Sequence, residues 1–155
     1  MPAYELDDTD RRILALLQQD ASLTNQELAK QVHVSAPTCL RRVKRLRDLK
    51  IIEKQVAILS PEKVGPGLTG IVEIVLDVQS AEMLTAFEAL VAVEPAVTQC
   101  YRVSQGPDFV LVVQVIDMQA YHALVHRAFT SQKNVRNVRT FFSVHRSKFD
   151  TRVAL

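Results

Sequence analysis

Seven basic side chains crowd into twenty residues of this 155-residue chain. Arg41, Arg42, Lys44, Arg45, Arg47, Lys50 and Lys54 lie within residues 35–54, against only Asp48 and Glu53. That stretch carries +5, residues 1–34 carry −3, and residues 61–155 hold nine charges of each sign. The overall net charge of +2 conceals this segregation. A local excess of this size suits a polyanion. A charge run is more often a solvated helix face, but seven bases against two acids in one twenty-residue stretch is a poor fit to that reading.

The pattern gains meaning from its helix. Ser35 can cap a helix running to about Leu49, with Pro37 allowed in the first turn. At about 100° per residue, Cys39, Val43 and Leu46 share one face. Thr38, Arg41 and Arg45 share the opposite face, flanked by Arg42 and Lys44. The apolar stripe locks the helix to partners, and the basic stripe faces outward, suited to a major groove and its phosphates. Those partners are visible upstream. Asp7 can cap a helix whose apolar residues recur at Ile13, Leu16 and Leu17, with acids in the first turn where the helix dipole favours them. Thr24-Asn25-Gln26-Glu27 is a capping box opening a helix through Leu28 to Val32, and His33-Val34 is a tight connection to Ser35. Two helices joined by so short a turn have helix-turn-helix geometry. Ile51, Ile52, Val56 and Ile58 then read as an extended arm or wing.

Residues 60–67, Ser-Pro-Glu-Lys-Val-Gly-Pro-Gly, hold two of the six prolines and two of the four glycines and read as a hinge. Beyond it the order is β-α-β-β-α-β. Strands are expected over Gly70–Val78, Val97–Val103, Phe109–Ile116 and Val135–Arg146. Helices are expected across Met83–Val91 and from Met118 to Phe129. Two βαβ halves of similar length predict four antiparallel strands with both helices on one face. The opposite face also carries apolar residues, Val75 and Val110 among them, and so calls for a homodimer packed sheet to sheet. The expected architecture is α+β. It comprises a winged helix-turn-helix over residues 1–59, a linker over 60–68, and a ferredoxin-like domain over 69–155.

The chain resembles the Lrp/AsnC, or feast/famine, regulators of bacteria and archaea. The resemblance spans almost its whole length. Its strongest stretches are Leu6–Leu17, Leu23–Ala29 and Ser35–Leu46, with Ser104–Leu111 and Asp117–Tyr121 matching in the second half. It implies a DNA-binding domain followed by a ligand-sensing domain, and dimers that assemble further, often to octamers. It also implies amino-acid effectors held at contacts between dimers. Ser35, Thr38, Arg41, Arg42, Lys44 and Arg45 fall on the family's recognition helix. Ser104, Gln105, Gly106, Pro107 and Asp108 fall on its effector loop, where backbone groups and a carboxylate suit an amino acid; Asp108 could equally cap the turn. Two positions depart from the family pattern. Gln105 stands where glycine is usual, with glycine following at 106 and then Pro107. Lys50 stands where the recognition helix often ends in glycine, which predicts a different helix cap and adds a possible phosphate contact.

Other residues read as structural. His122 and His126 are four apart on a helix, a spacing that could share a metal, but no third ligand lies nearby. Cys39 sits on a buried helix face and Cys100 in a strand, both without metal-like spacing; the usage fits a reducing, cytoplasmic setting. No apolar run is longer than that of Phe109–Val113, far short of the ~20 residues that span a bilayer, and the acidic start, Met1–Asp8, is unlike a leader peptide. No catalytic constellation appears. The expectation is therefore a sequence-specific DNA-binding transcriptional regulator of double-stranded DNA, modulated by an amino acid and needing no other cofactor. The alternative is a nucleoid-type architectural DNA-binding protein without an effector.

Overall fold

The first four backbone N–H groups of a helix have no partner inside it, so the residue just before the helix decides where it starts. A computed structural model describes residues 5–155 of this chain; the opening residues 1–4, part of the stretch read for a leader, lie outside the described residues. Asp7 accepts from the Asp10 N–H at 2.8 Å and starts α1 (Asp8–Gln19). Thr24 and Glu27 form the reciprocal capping box of α2 (Asn25–Gln31), Glu27 accepting from the Thr24 N–H at 2.8 Å. Ser35 accepts from the Thr38 N–H and opens α3 (Ala36–Asp48) with Pro37 in its first turn.

Both ends of the helix-turn-helix close the same way. At the end of α2, His33 takes φ 58°, its N–H donates to the Lys30 carbonyl, and the Val34 N–H donates to the Ala29 carbonyl. At the end of α3, Lys50 takes φ 58°, its N–H donates to Arg47, and the Ile51 N–H donates to Leu46. Each is a Schellman motif, the cap glycine ordinarily supplies. Lysine at position 50 therefore does not bring the different cap expected: the bonds are those a glycine cap makes, with a side chain held in the left-handed region. A left-handed non-glycine residue costs roughly 1–2 kcal/mol. Lys50→Gly is expected to raise the unfolding free energy of this unit by about 1 kcal/mol, read from denaturant midpoints; no gain would mean that the lysine side chain repays the strain.

Ile13, Leu14, Leu28, Ala29, Val32, Cys39, Val43 and Leu46 form one buried cluster joining the three helices. Residues 53–60 have neither helix nor strand, so the segment after α3 is an arm rather than a strand pair. Val56 and Ile58 on it are exposed. The unit through Ile58 also takes in the last residues of the chain, Lys148–Leu155. There the Gln18 amide grips one residue of the tail by both its backbone groups. Its Oε1 accepts from the Val153 N–H at 2.7 Å, and its Nε2 donates to the Val153 carbonyl at 3.1 Å.

The second unit, Leu59–Ser147, opens with a single helical turn, α4 (Pro61–Val64), ended by Gly65. Then come β1 (Leu68–Leu76), α5 (Ala81–Ala92), β2 (Val97–Arg102), β3 (Phe109–Val115), α6 (Met118–Leu124) and β4 (Val135–Phe142). The strands are antiparallel in the order β2-β3-β1-β4, the ferredoxin-like arrangement. The elements follow the expected order with shifted ends. β1 stops at Leu76 because the next two N–H groups, of Asp77 and Val78, donate to the backbone and side chain of Asn134. Val78 is therefore exposed instead of continuing the buried row. β4 stops at Phe142, short of Arg146. The last helix widens into a π-helical turn over Val125–Thr130. The wider turn brings Phe129, five residues after Leu124, onto the same buried side.

One sheet face lies under the helices: Val72, Ile74, Leu76, Phe109, Leu111 and Val113 pack with Phe87, Val91, Leu124, Ala128 and Phe129. The other face is bare. Ile71 stands opposite Val112 on one side and Phe141 on the other, and Tyr101 stands opposite Val110. Ile71, Tyr101 and Phe141 are 42%, 55% and 43% exposed. Among the described residues, no helix is long and apolar enough to cross a membrane.

Candidate nucleic-acid interface and effector loop

Helix α3 owes its orientation to Cys39, Val43 and Leu46, which are 0%, 7% and 1% exposed. With that stripe inward, Arg41, Lys44 and Arg45 are exposed on the remaining surface, as the helical periodicity predicts. Ser35 is exposed at the start of the helix, and its hydroxyl donates to Thr38 Oγ1 at 2.8 Å while capping. Thr38 is half-buried. Its hydroxyl, turned toward Ser35, lies one turn before Arg41 and Arg42. Arg47 lies beyond this set and donates to Gln55 Oε1 at 2.6 Å, fastening α3 to the arm.

Arg42 is placed differently from its neighbours. Its Nη1 donates to Asp7 Oδ2 at 2.6 Å and to Asp10 Oδ1 at 2.8 Å. Asp10 is 1% exposed and is the buried charged residue of the first unit. Asp7 serves twice, capping α1 with Oδ1 and holding Arg42 with Oδ2. The Asp10 N–H, and then the Arg42 guanidinium, hold the Asp7 carboxyl below its usual range. Asp7 and Asp10 are functional candidates that the basic pattern does not point to. A signal for Asp10 exists in the sequence. It falls at the i, i+3, i+4 spacing of Ile13 and Leu14, on the stripe of α1 that must be buried, and a buried carboxylate demands a cation.

The loop between β2 and β3 is a hairpin closed by the Val103 N–H donating to the Asp108 carbonyl at 3.1 Å. Ser104, Gln105 and Gly106 are exposed, and Pro107 and Asp108 are half-buried. Gly106 takes φ 88°, so the glycine displaced by one position still occupies the left-handed step of this turn. Asp108 is held from three sides. Its N–H donates to the Ile74 carbonyl at 2.8 Å, and its Oδ2 accepts from the Leu76 N–H at 2.7 Å and from Gln79 Nε2 at 3.3 Å. The carboxylate therefore does the structural work of joining the loop to the end of β1, while the loop tip stays accessible. The bidentate Arg102–Glu88 pair, at 2.9 and 2.7 Å, fixes the strand entering the loop to α5.

The remaining singled-out residues add no group to the exposed surface of either site. His122 and His126 are exposed on the last helix, Cys39 is buried in the first core, and Cys100 is exposed on β2.

The AsnC-type helix-turn-helix domain matches residues 6–47, and the Lrp/AsnC ligand binding domain matches residues 69–153. Over 146 residues the chain is 38% identical to the DNA-binding transcriptional activator DecR of Escherichia coli strain K12, covering 94% of this chain and 96% of that protein. It is 36% identical over 144 residues to the leucine-responsive regulatory protein of Rhizobium meliloti, covering 93% and 92%. A transcriptional regulator from Neisseria meningitidis, solved as a complex with L-Met, superposes with a TM-score of 0.85 at 32% identity over 97% of both chains. Helix-turn-helix, four-stranded sheet and sequence agree along the whole molecule, and the chain belongs to the Lrp/AsnC family of transcriptional regulators.

Proposed function

We propose that this protein is a cytoplasmic regulator that binds double-stranded DNA through α3, binds an amino acid through its second unit, and catalyses nothing. The observation that carries the reading is the outward basic surface of α3, with Arg41, Lys44 and Arg45 exposed while Cys39, Val43 and Leu46 anchor the helix. The bare sheet face supports a homodimer: Ile71, Val112 and Phe141 form one apolar row across three strands, and a second copy of that face would cover it. A dimer of this kind carries two recognition helices at one spacing, and further assembly to an octamer would multiply them. The exposed Ser104–Gly106 tip, with Pro107 and Asp108 behind it, is the proposed effector site. The regulator from Neisseria meningitidis holds L-Met, and the relative from Rhizobium meliloti is leucine-responsive; both favour an amino acid here.

Footprinting on duplexes selected from a random pool tests this reading. The expected result is discrete paired half-sites, with centres about 34–36 Å apart or a multiple of that. One of the twenty amino acids at millimolar concentration should shift affinity about 5- to 150-fold. Diffuse coverage, indifferent to every amino acid, would overturn the proposal in favour of an architectural DNA-binding protein that senses nothing.

A further inference from the structure

We infer that Arg42 is a positioning residue for DNA recognition and not a phosphate contact: the Asp7–Arg42–Asp10 clamp sets the angle at which α3 presents its basic face. This rests on the DNA-binding reading above. Apolar packing decides which side of α3 is buried, but it is non-directional and tolerates sliding and rotation. A guanidinium held between two carboxylates does not, because hydrogen bonds weaken steeply with angle and distance.

The geometry is that of a brace between two helices. Arg42 lies midway along α3, on the flank between the buried stripe and the exposed bases. Its Nη1 reaches the capping residue of α1 at 2.6 Å and the first turn of α1 at 2.8 Å. Asp10 is 1% exposed and the Arg42 side chain 27% exposed. Its Nε is buried with no hydrogen-bond partner among the described residues. A side chain placed for solvent or phosphate would leave that nitrogen wet. Here the arginine accepts the cost of burying it in order to reach the two carboxylates. Asp10 on a core-facing position gains from this guanidinium, since a buried carboxylate without a cation is strongly disfavoured. The clamp has an electrostatic consequence as well. Two carboxylates near a DNA-binding helix would repel phosphates, and the shared guanidinium holds them in a fixed, partly neutralised group.

Positioning and direct phosphate binding predict opposite things, which makes the idea testable. The probes are a duplex selected by the wild-type chain from a random pool, and a random duplex of the same length. Affinity for each is measured between 50 and 200 mM salt, roughly the range over which phosphate contacts dominate. Asp10→Asn keeps the shape and removes a negative charge. Charge alone would tighten binding to both duplexes. The clamp predicts instead at least a tenfold fall in the ratio of selected to random affinity. Arg42→Gln is expected to lower the same ratio while leaving the slope of log K against log salt unchanged. Were Arg42 bound to a phosphate, its removal would reduce that slope by about 0.9.

Circular dichroism of each variant confirms that α1–α3 remain folded, and Asp7→Asn, at an exposed position, provides a milder break of the same clamp if Asp10→Asn unfolds. Unchanged selectivity in the folded variants, or a slope that drops for Arg42→Gln, would overturn the inference while leaving DNA binding intact. A wild-type chain that selects no duplex would overturn the DNA-binding reading itself, and the inference with it.

Discussion

Replacing Arg41 and Arg45 together by alanine is expected to lower affinity for the selected duplex by about one and a half to four orders of magnitude. Each arginine that reads a base edge contributes about 1–3 kcal/mol, and two such losses combine to that range. The salt dependence should become shallower wherever these arginines neutralise phosphates, by about 0.9 in slope for each phosphate no longer neutralised. The fold should survive, because both side chains are exposed and alanine is the stronger helix former. Fluorescence anisotropy across a salt series, with thermal melts of the same samples, measures both quantities. Affinity unchanged within threefold in a folded double variant would remove this face of α3 from the interface. The contrast with Arg42→Gln is the informative one. Arg41 and Arg45 should change strength and salt slope, whereas Arg42 should change selectivity alone.

The second large effect belongs to the other unit. Phe109→Ala is expected to destabilise it by about 3–5 kcal/mol, a substantial part of the ~5–15 kcal/mol that holds a domain together. Phe109 is 0% exposed, its ring lies 4.7 Å from that of Phe87, and it pairs with Ile74 on one side and Arg102 on the other. It also follows Asp108 directly, so the loop between β2 and β3 loses its footing with the strand. The two cores share no residue, one running from Ile13 to Leu46 and the other from Val72 to Phe129. Calorimetry should therefore show the second unit melting early in a separate transition, while the transition of the α1–α3 unit stays at its wild-type temperature. On the proposed dimer, DNA affinity should fall as well, because separated copies of α3 lose the spacing that the paired sheets would set. A single melt at the wild-type temperature would show that the Phe109 site collapses without loss.

Much of this molecule is legible in its sequence. Capping residues, apolar periodicity and charge segregation are local properties, decided by backbone groups and neighbours within a turn or two. Asp7, Thr24 with Glu27, and Ser35 each start a helix where a side-chain oxygen meets an orphan N–H. The outward direction of Arg41 and Arg45 follows from the spacing of Cys39, Val43 and Leu46. The β-α-β-β-α-β order follows from the alternation of two periods.

What the tertiary structure alone decided are the long-range pairings. On a helical wheel Arg42 flanks the basic face just as Lys44 does, yet it turns to carboxylates 35 and 32 residues away. Gln18 holds Val153 across 135 residues, which no local pattern encodes. Asp108 as a loop residue suits either a ligand or a turn, and only the Leu76 N–H at 2.7 Å shows where its Oδ2 is engaged. Lys50 adopts the left-handed cap because the Arg47 and Leu46 carbonyls need partners and the chain must turn there, a demand that outweighs its own backbone preference. Local chemistry sets the elements and the faces they present; which charged side chains reach solvent is settled only when distant segments compete for them.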